Sequence, residues 1–520
     1  MRVSPGRTNS NPLGPESAAE GLRPRSAPEL YWLPAILILA ATLRLWGLGA
    51  KSLWLDEIMT VQKASMSFSE MMGQIRQHDA HPPLFQVVEW LWLRLDKGDA
   101  YARAPAVLAG VACVWLCFLI ARRLFGRKAA LAAAAMTTIS YFGIFYSQEA
   151  RLHSFMTALF LGQFCLLLAI LERRGKAGWG LWVAYGLVGL ASLYTYALCA
   201  LTVGALGLLY LGLTRRRRRQ LGRWLAVHAA IGLLFLPWVP TLRARTAELE
   251  ASVRAYHDSI GRPTDSEIVG GIADWAIGPW AKSGIRSELG VYPPSTFGQI
   301  LGWALMPVAA FAAFHRKSKR PAQVLGVLFL LPLLLYLILP MPRVHLYEAK
   351  HLMFVQPILL IALSGARLSF RVPGMRRRNY TLLIVALAFV ALNAIGLRDY
   401  FRPGFEKENW RRLATEVSRL AGANDLILFN PGYIGYAFDY YARLPADLPI
   451  DEKGLQQASV RIVENPQRIW LIEDWSAVSR PFPHMVENLE AQGWYPRVTK
   501  LMNGSLGELR WTLLLPKGTQ

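Results

Sequence analysis

Eleven apolar runs of near membrane-spanning length punctuate this chain and constrain it more than any other feature. They fall at 30–48, 104–121, 129–146, 152–171, 179–195, 196–213, 224–241, 296–314, 322–340, 351–366 and 380–397. A helix needs roughly 20 predominantly apolar residues to cross a bilayer. The pattern therefore predicts a polytopic α-helical membrane protein with about 11 transmembrane helices. The stretch 179–213 reads either as two short helices or as one long one. The run at residue 30 is too long, and too far from the N-terminus, for a cleaved signal peptide, so it reads as a signal-anchor first helix.

Charge sets the orientation. Every second connection is short and basic, and Arg215 to Arg219 form an unbroken arginine run. Together with the N-terminal tail these connections hold 26 basic residues against four acidic ones, which accounts for the whole net charge of +22. The positive-inside rule then predicts a cytoplasmic N-terminus and an extracytoplasmic C-terminus. The sequence pI of about 10.0 is thus a topological signal and no nucleic-acid partner is expected, because the arginine run lies in a short loop between two apolar runs. Cys113, Cys117, Cys165 and Cys199 all fall inside apolar runs, so neither a disulfide framework nor a zinc cluster is implied.

Residues 1–29, rich in Pro, Ser, Gly and Arg, read as a disordered cytoplasmic tail. The membrane part, 30–398, carries two extracytoplasmic loops, 49–101 and 242–294. The first mixes amphipathic helix patterns with Trp54, Trp90 and Trp92, which suits helices lying in the interface. Residues 399–520 read as a small extracytoplasmic α/β domain. Its expected elements are helices at 410–420 and 484–492, strands at 425–429, 468–473 and 509–515, and a helix or turn at 433–442. Gly432 and Gly435 follow the first strand without the rest of a phosphate-binding fingerprint, and read as a scaffold loop.

Four polar clusters carry candidate chemistry, all on the outer side by charge counting. Asp56 and Glu57 directly follow the first run. A carboxylate there can act as a general base toward a hydroxyl, or Asp56 can cap a helix that begins at Glu57. His78, Asp79 and His81 precede Pro82 and Pro83; they can hold a divalent metal, His81 can donate to a phosphate, or the group is a polar turn. Glu149 and Arg151 can pair with each other or complete a polar pocket. Arg343 and Lys350 can neutralise a phosphate, or Lys350 can snorkel to the interface. The facing loops offer almost nothing but Arg and Lys. That asymmetry favours a reaction centre at the outer membrane face over a lipid or glycan transporter, which usually places polar residues or broken helices near the midplane.

Read as a set, Arg44, the string Ser52-Leu53-Trp54-Leu55-Asp56-Glu57, His81-Pro82-Pro83-Leu84, Arg103-Ala104-Pro105 with Gly110, and Tyr146-Ser147-Gln148-Glu149-Ala150-Arg151 resemble the N-terminal half of the GT-C glycosyltransferases. The resemblance is to the family 39 and protein O-mannosyltransferase-like group and to the lipid A aminoarabinose transferases. It covers residues 30 to about 171 by motif, and the remainder mainly by hydropathy. It implies a GT-C fold and a polyprenyl-phosphate-linked sugar donor. It also implies a protein, lipid or glycan hydroxyl acceptor, transfer at the outer face of the inner membrane, and no nucleotide. Asp56 matches the family's first-loop aspartate, with Glu57 its companion, and Glu149 and Arg151 match the second-loop acidic-basic motif. His81, Arg151, Lys350 and Arg343 stand as donor-phosphate ligands. Some relatives carry a glutamate immediately before the position of His81; Ala80 stands there in this chain, which weighs against a metal site.

Overall fold

The computed structural model describes residues 29–79, 81–214, 220–248, 320–338, 349–365, 381–442, 459–460, 466–475, 484–504 and 508–518. The N-terminal tail, the run at 296–314, most of the 242–294 loop and Arg343 lie outside them.

The protein is a helical membrane protein. Among the described residues four helices are long and apolar enough to cross a membrane: Asp99–Phe125, His153–Glu172, Ala197–Thr214 and Leu221–Glu248. Leu225, Leu233, Leu234 and Leu236 of the last are exposed, as side chains facing acyl chains would be. Glu29–Leu45, Arg320–Ile338, Val355–Ser364 and Thr381–Tyr400 overlap four further runs. Within the 179–213 stretch the chain forms two helices, broken at Tyr196, whose backbone is extended (φ −154°, ψ 122°).

The run at 129–146 departs from a straight span. Helices Arg127–Ile139 and Tyr141–Ser147 meet at a 57° bend. Ser140 leaves the helical region there (ψ 114°), and tertiary partners meet the backbone groups this frees. Ser140 Oγ accepts from Gly143 N–H at 3.1 Å and Asn393 Oδ1 accepts from Tyr141 N–H at 2.8 Å. The Arg44 guanidinium donates to the carbonyls of Thr137 (3.1 Å) and Thr138 (3.2 Å). A buried arginine is tolerable in a membrane helix when carbonyls receive its protons, and the bend supplies them.

Three short helices, Leu55–Ser65, Phe68–His78 and Leu84–Trp92, fill the 49–101 loop. Beyond Tyr400 a five-stranded sheet forms in the order β2-β1-β3-β5-β4, with β1 Asp425–Asn430, β2 Ser459–Val460, β3 Arg468–Asp474, β4 Trp494–Asn503 and β5 Glu508–Pro516. β1 and β3 run parallel and the other pairs antiparallel. Leu428, Ile469, Leu471 and Leu514 form one small core with Leu489 of helix Met485–Ala491. A second core joins Phe429, Trp470, Ile472 and Trp511 to Trp410, Leu413 and Val417 of helix Trp410–Leu420, and continues into Leu53, Leu55, Ile58 and Val61 of the 49–101 loop. The loop and the sheet thus share one apolar cluster, drawn from both sides of position 398.

Candidate functional site

Successive residues on a helix project about 100° apart, and in helix Leu55–Ser65 this separates the two adjacent carboxylates. Glu57 turns inward and is fully buried. Its Oε1 accepts from Arg103 Nε and its Oε2 from Arg103 Nη2, both at 2.7 Å. Oε1 also accepts from Ala150 N–H at 2.8 Å, and Oε2 from Trp54 N–H at 3.2 Å. Arg103 donates onward to the carbonyls of Leu48, Lys51 and Ser52 at 2.7–3.0 Å. Against burial, which raises it, Arg103 holds the Glu57 carboxyl below its ordinary value. The helix begins at Leu55 with Trp54 as its N-cap, so Asp56 does not cap a helix starting at Glu57. The Glu57 carboxylate meets the cap N–H instead.

Asp56 faces the other way, with 26% of its side chain exposed. Its Oδ2 lies 3.1 Å from Arg151 Nη2, and Arg151 Nη1 reaches the Asp56 carbonyl (3.4 Å) and Thr60 Oγ1 (3.3 Å). Of the two alternatives for Glu149 and Arg151, mutual pairing is not what forms; each takes a different partner.

The second-loop motif is divided residue by residue. Gln148 Nε2 donates to the carbonyls of Arg44 (2.8 Å) and Trp46 (2.9 Å) at the end of the first helix. Glu149 Oε1 accepts from Lys407 Nζ at 2.6 Å, both side chains being 2% exposed. Ala150 donates its N–H to Glu57, and Arg151 takes Asp56. Burial pushes the Glu149 carboxyl up and the Lys407 ammonium down, each against the pull of the other. Glu149 Oε2 is buried with no hydrogen-bond partner.

Two more clusters converge here. The Lys350 ammonium lies 5.5 Å from the ring centroid of Trp54, two residues before Asp56. His81 packs edge-on against Tyr196 (5.2 Å between ring centroids), and His351 lies 6.4 Å from the same ring. Desolvation first, and then the charge of Arg151, drives His81 down to about 4, so its imidazole is neutral at ordinary pH. His153 follows Arg151 by two positions and is buried, with neither ring nitrogen hydrogen-bonded.

The metal reading of His78, Asp79 and His81 does not fit. Asp79 Oδ2 is taken by Lys63 Nζ at 2.6 Å, while His78 is exposed at the end of its helix. Among the described residues no three His, Cys, Asp or Glu side chains converge as a cation needs. All four cysteines are free and buried.

Sequence reasoning missed Lys407, His153 and Tyr196 as members of this site. Lys407 lies just before the first element expected in the 399–520 segment, and Tyr196 inside an apolar run. His153 carried a signal, two residues beyond the Glu149–Arg151 motif, that went unused.

Comparison with known proteins follows the same lines. Residues 80–240 match the family described as dolichyl-phosphate-mannose-protein mannosyltransferase. Over 235 residues, 44% of the chain, it is 28% identical to undecaprenyl phosphate-alpha-4-amino-4-deoxy-L-arabinose arabinosyl transferase 1 of Pseudomonas fluorescens (strain Pf0-1), and the match spans 38% of that relative's length. The crystal structure of ArnT from Cupriavidus metallidurans bound to undecaprenyl phosphate superposes with a TM-score of 0.57 at 15% identity, covering 92% of this chain and 98% of that one. Its apo form gives 0.57 at 14% identity, covering 94% and 98%. The fold is that of the GT-C glycosyltransferases. Asp56, Arg151, Glu149 and Lys407 gather where the 49–101 loop, the 146–151 motif and the segment leading into the sheet meet.

Proposed function

We propose that this protein is a multi-pass membrane glycosyltransferase of the inner membrane. It moves a sugar, mannose or a related one, from a polyprenyl-phosphate-linked donor to a hydroxyl of a protein, lipid or glycan acceptor. The chain crosses the bilayer about 11 times, with the N-terminus cytoplasmic and residues 399–520 outside. One observation carries the reading: the 3.1 Å pair of Asp56 and Arg151, partly exposed, beside Lys350, His81 and His351 contributed by distant stretches of chain.

In the proposed reaction the Asp56 carboxylate takes the proton of the acceptor hydroxyl as its oxygen attacks the anomeric carbon. The bond from that carbon to the phosphate oxygen breaks, and the lipid phosphate leaves with the electron pair. Arg151 and Lys350 stabilise its charge, with Arg343 assigned to the same role, and fixed cations at a developing anion act most strongly where water is sparse. His81, neutral, donates a hydrogen bond. Glu57 serves by fixing the loop, and Glu149 by shaping the wall opposite Asp56. No step of this proposal is routed through a metal.

The test is Asp56→Asn in purified protein, supplied with a polyprenyl-phosphate-linked sugar and a crude envelope acceptor fraction. Folding should be intact and transfer lost. Unchanged transfer excludes Asp56 as the base, and donor movement across a vesicle without glycosylated product identifies a transporter instead.

A further inference from the structure

The segment between Tyr400 and helix Trp410–Leu420 carries three consecutive charged residues, and all three are engaged inside the protein. Glu406 Oε2 accepts from Ser52 N–H at 2.8 Å. Glu408 is buried; its Oε2 accepts from Leu55 N–H at 2.9 Å and from Trp410 Nε1–H at 2.7 Å. Between them Lys407 reaches Glu149 at 2.6 Å. The first two hold the backbone directly before Asp56, and the third holds the residue two before Arg151. Alternate walls of the site are thus tied to one short strap.

A tether for the sheet alone does not need this chemistry. The shared apolar cluster already joins sheet to loop, and burying a lysine and a glutamate costs several kcal/mol of desolvation before their attraction offsets it. The pair is also incomplete, because Glu149 Oε2 has no hydrogen-bond partner. Lys407 further stacks over the Phe145 ring at 3.9 Å, which fixes the ammonium laterally. Such a costly arrangement is understandable when position, not stability, is what it secures.

We infer that Lys407 is a positioning residue for the transfer reaction. Through Glu149 it sets the backbone that carries Arg151, and with Glu406 and Glu408 it makes residues 406–408 a strap fixing Asp56 against Arg151. The inference rests on the reading of Asp56 as the base.

The experiment uses the full chain in nanodiscs with whichever undecaprenyl-phosphate-linked pentose or hexose the wild type turns over. Lys407→Met should lower kcat about 100-fold, the cost of misplacing a reacting group by about 1 Å, while KM for the donor changes less than about threefold because no donor contact is lost. Lys407→Arg, which keeps the charge, should recover kcat to within about tenfold of wild type. Should Lys407→Met not fold, Lys407→Met with Glu149→Gln removes both buried charges; it should fold and show the same loss. Wild-type kcat in folded Lys407→Met or in the double variant overturns the inference, as does Lys407→Arg no better than Lys407→Met. Asp56→Asn run beside them separates the two failures. If it still transfers, the functional reading is wrong; if it is dead while Lys407→Met is normal, only the strap is.

Discussion

Glu57 and Arg103 meet through two 2.7 Å hydrogen bonds in an enclosed site, while Asp56, the very next residue, keeps a quarter of its carboxyl side chain open. One residue of helical rotation has turned one carboxylate into a buried structural pin and left the other partly exposed. Removing one partner of a buried ion pair typically costs about 3–5 kcal/mol. Arg103→Leu should therefore abolish monodisperse protein in detergent or lower its thermal midpoint steeply. Asp56→Asn, at a partly exposed pair, should stay within about 1 kcal/mol of wild type. A normal midpoint for Arg103→Leu contradicts the assignment.

Asp56 and Arg151 should behave as one unit in kinetics. Arg151→Met is expected to lower kcat/KM about 10²-fold, comparable with removing one charge-stabilising group elsewhere. In the double variant with Asp56→Asn the losses should not multiply, since residues acting together are strongly non-additive. A double variant whose loss equals the product of the two single losses argues that they work independently.

Much of this architecture is legible in sequence, and the exceptions have physical causes. Helix Trp410–Leu420 falls at its expected limits because its apolar positions follow a helical period and Asn409 Oδ1 caps it, accepting from Arg412 N–H at 3.3 Å. β4 was not foreseen: Pro496 interrupts it, its register shifts between Pro496 and Val498, and as an edge strand it leaves Tyr495, Val498 and Leu501 exposed. The bend at Ser140 has no glycine or proline to announce it, since the partner that satisfies Tyr141 N–H is Asn393, 252 positions away. That acidic residues from the 49–101 loop and the 146–151 motif come together follows the charge pattern of the sequence. Which carboxylate does what could not, because that depends on whether Arg103, Lys407 or Arg151 arrives from elsewhere in the chain.

Glu89 offers a test by pH. It is fully buried in helix Leu84–Trp92, and neither carboxyl oxygen has a hydrogen-bond partner. Burial, and then the nearby Glu57 charge, raises its carboxyl well above the ordinary value, which favours the protonated form in the folded protein. Its contribution to stability is thus fully present below the unfolded value near 4.5 and is lost as pH rises. The loss is about 1.4 kcal/mol per pH unit until the folded group itself ionises. Glu89→Met should raise the thermal midpoint at pH 7 and do so less at pH 5. An equal shift at both values, or a fall at pH 7, rules out a buried neutral acid.

At Gly110 helix Asp99–Phe125 passes tightly against the bent pair. A methyl group added there would overlap Ser147 Oγ and sit 2.8 Å from Ser147 Cβ and 2.9 Å from Arg44 Nε. Both neighbours are committed: Ser147 Oγ donates to the Gly143 carbonyl at 2.5 Å and accepts from Arg44 Nε at 3.2 Å. Neither side chain can yield without leaving a buried polar group unmet. Gly110→Ala should therefore destabilise the protein by about 1–3 kcal/mol, the range for overpacking, although alanine is the better helix former. Gly110→Ala with Ser147→Gly removes the colliding atoms and should regain part of that loss in a thermal-midpoint cycle. Because Ser147 immediately precedes Gln148 and Glu149, the single variant should also lower transfer more than its folded fraction explains; a rate that simply follows the folded fraction means that the packing at Gly110 does not reach the site.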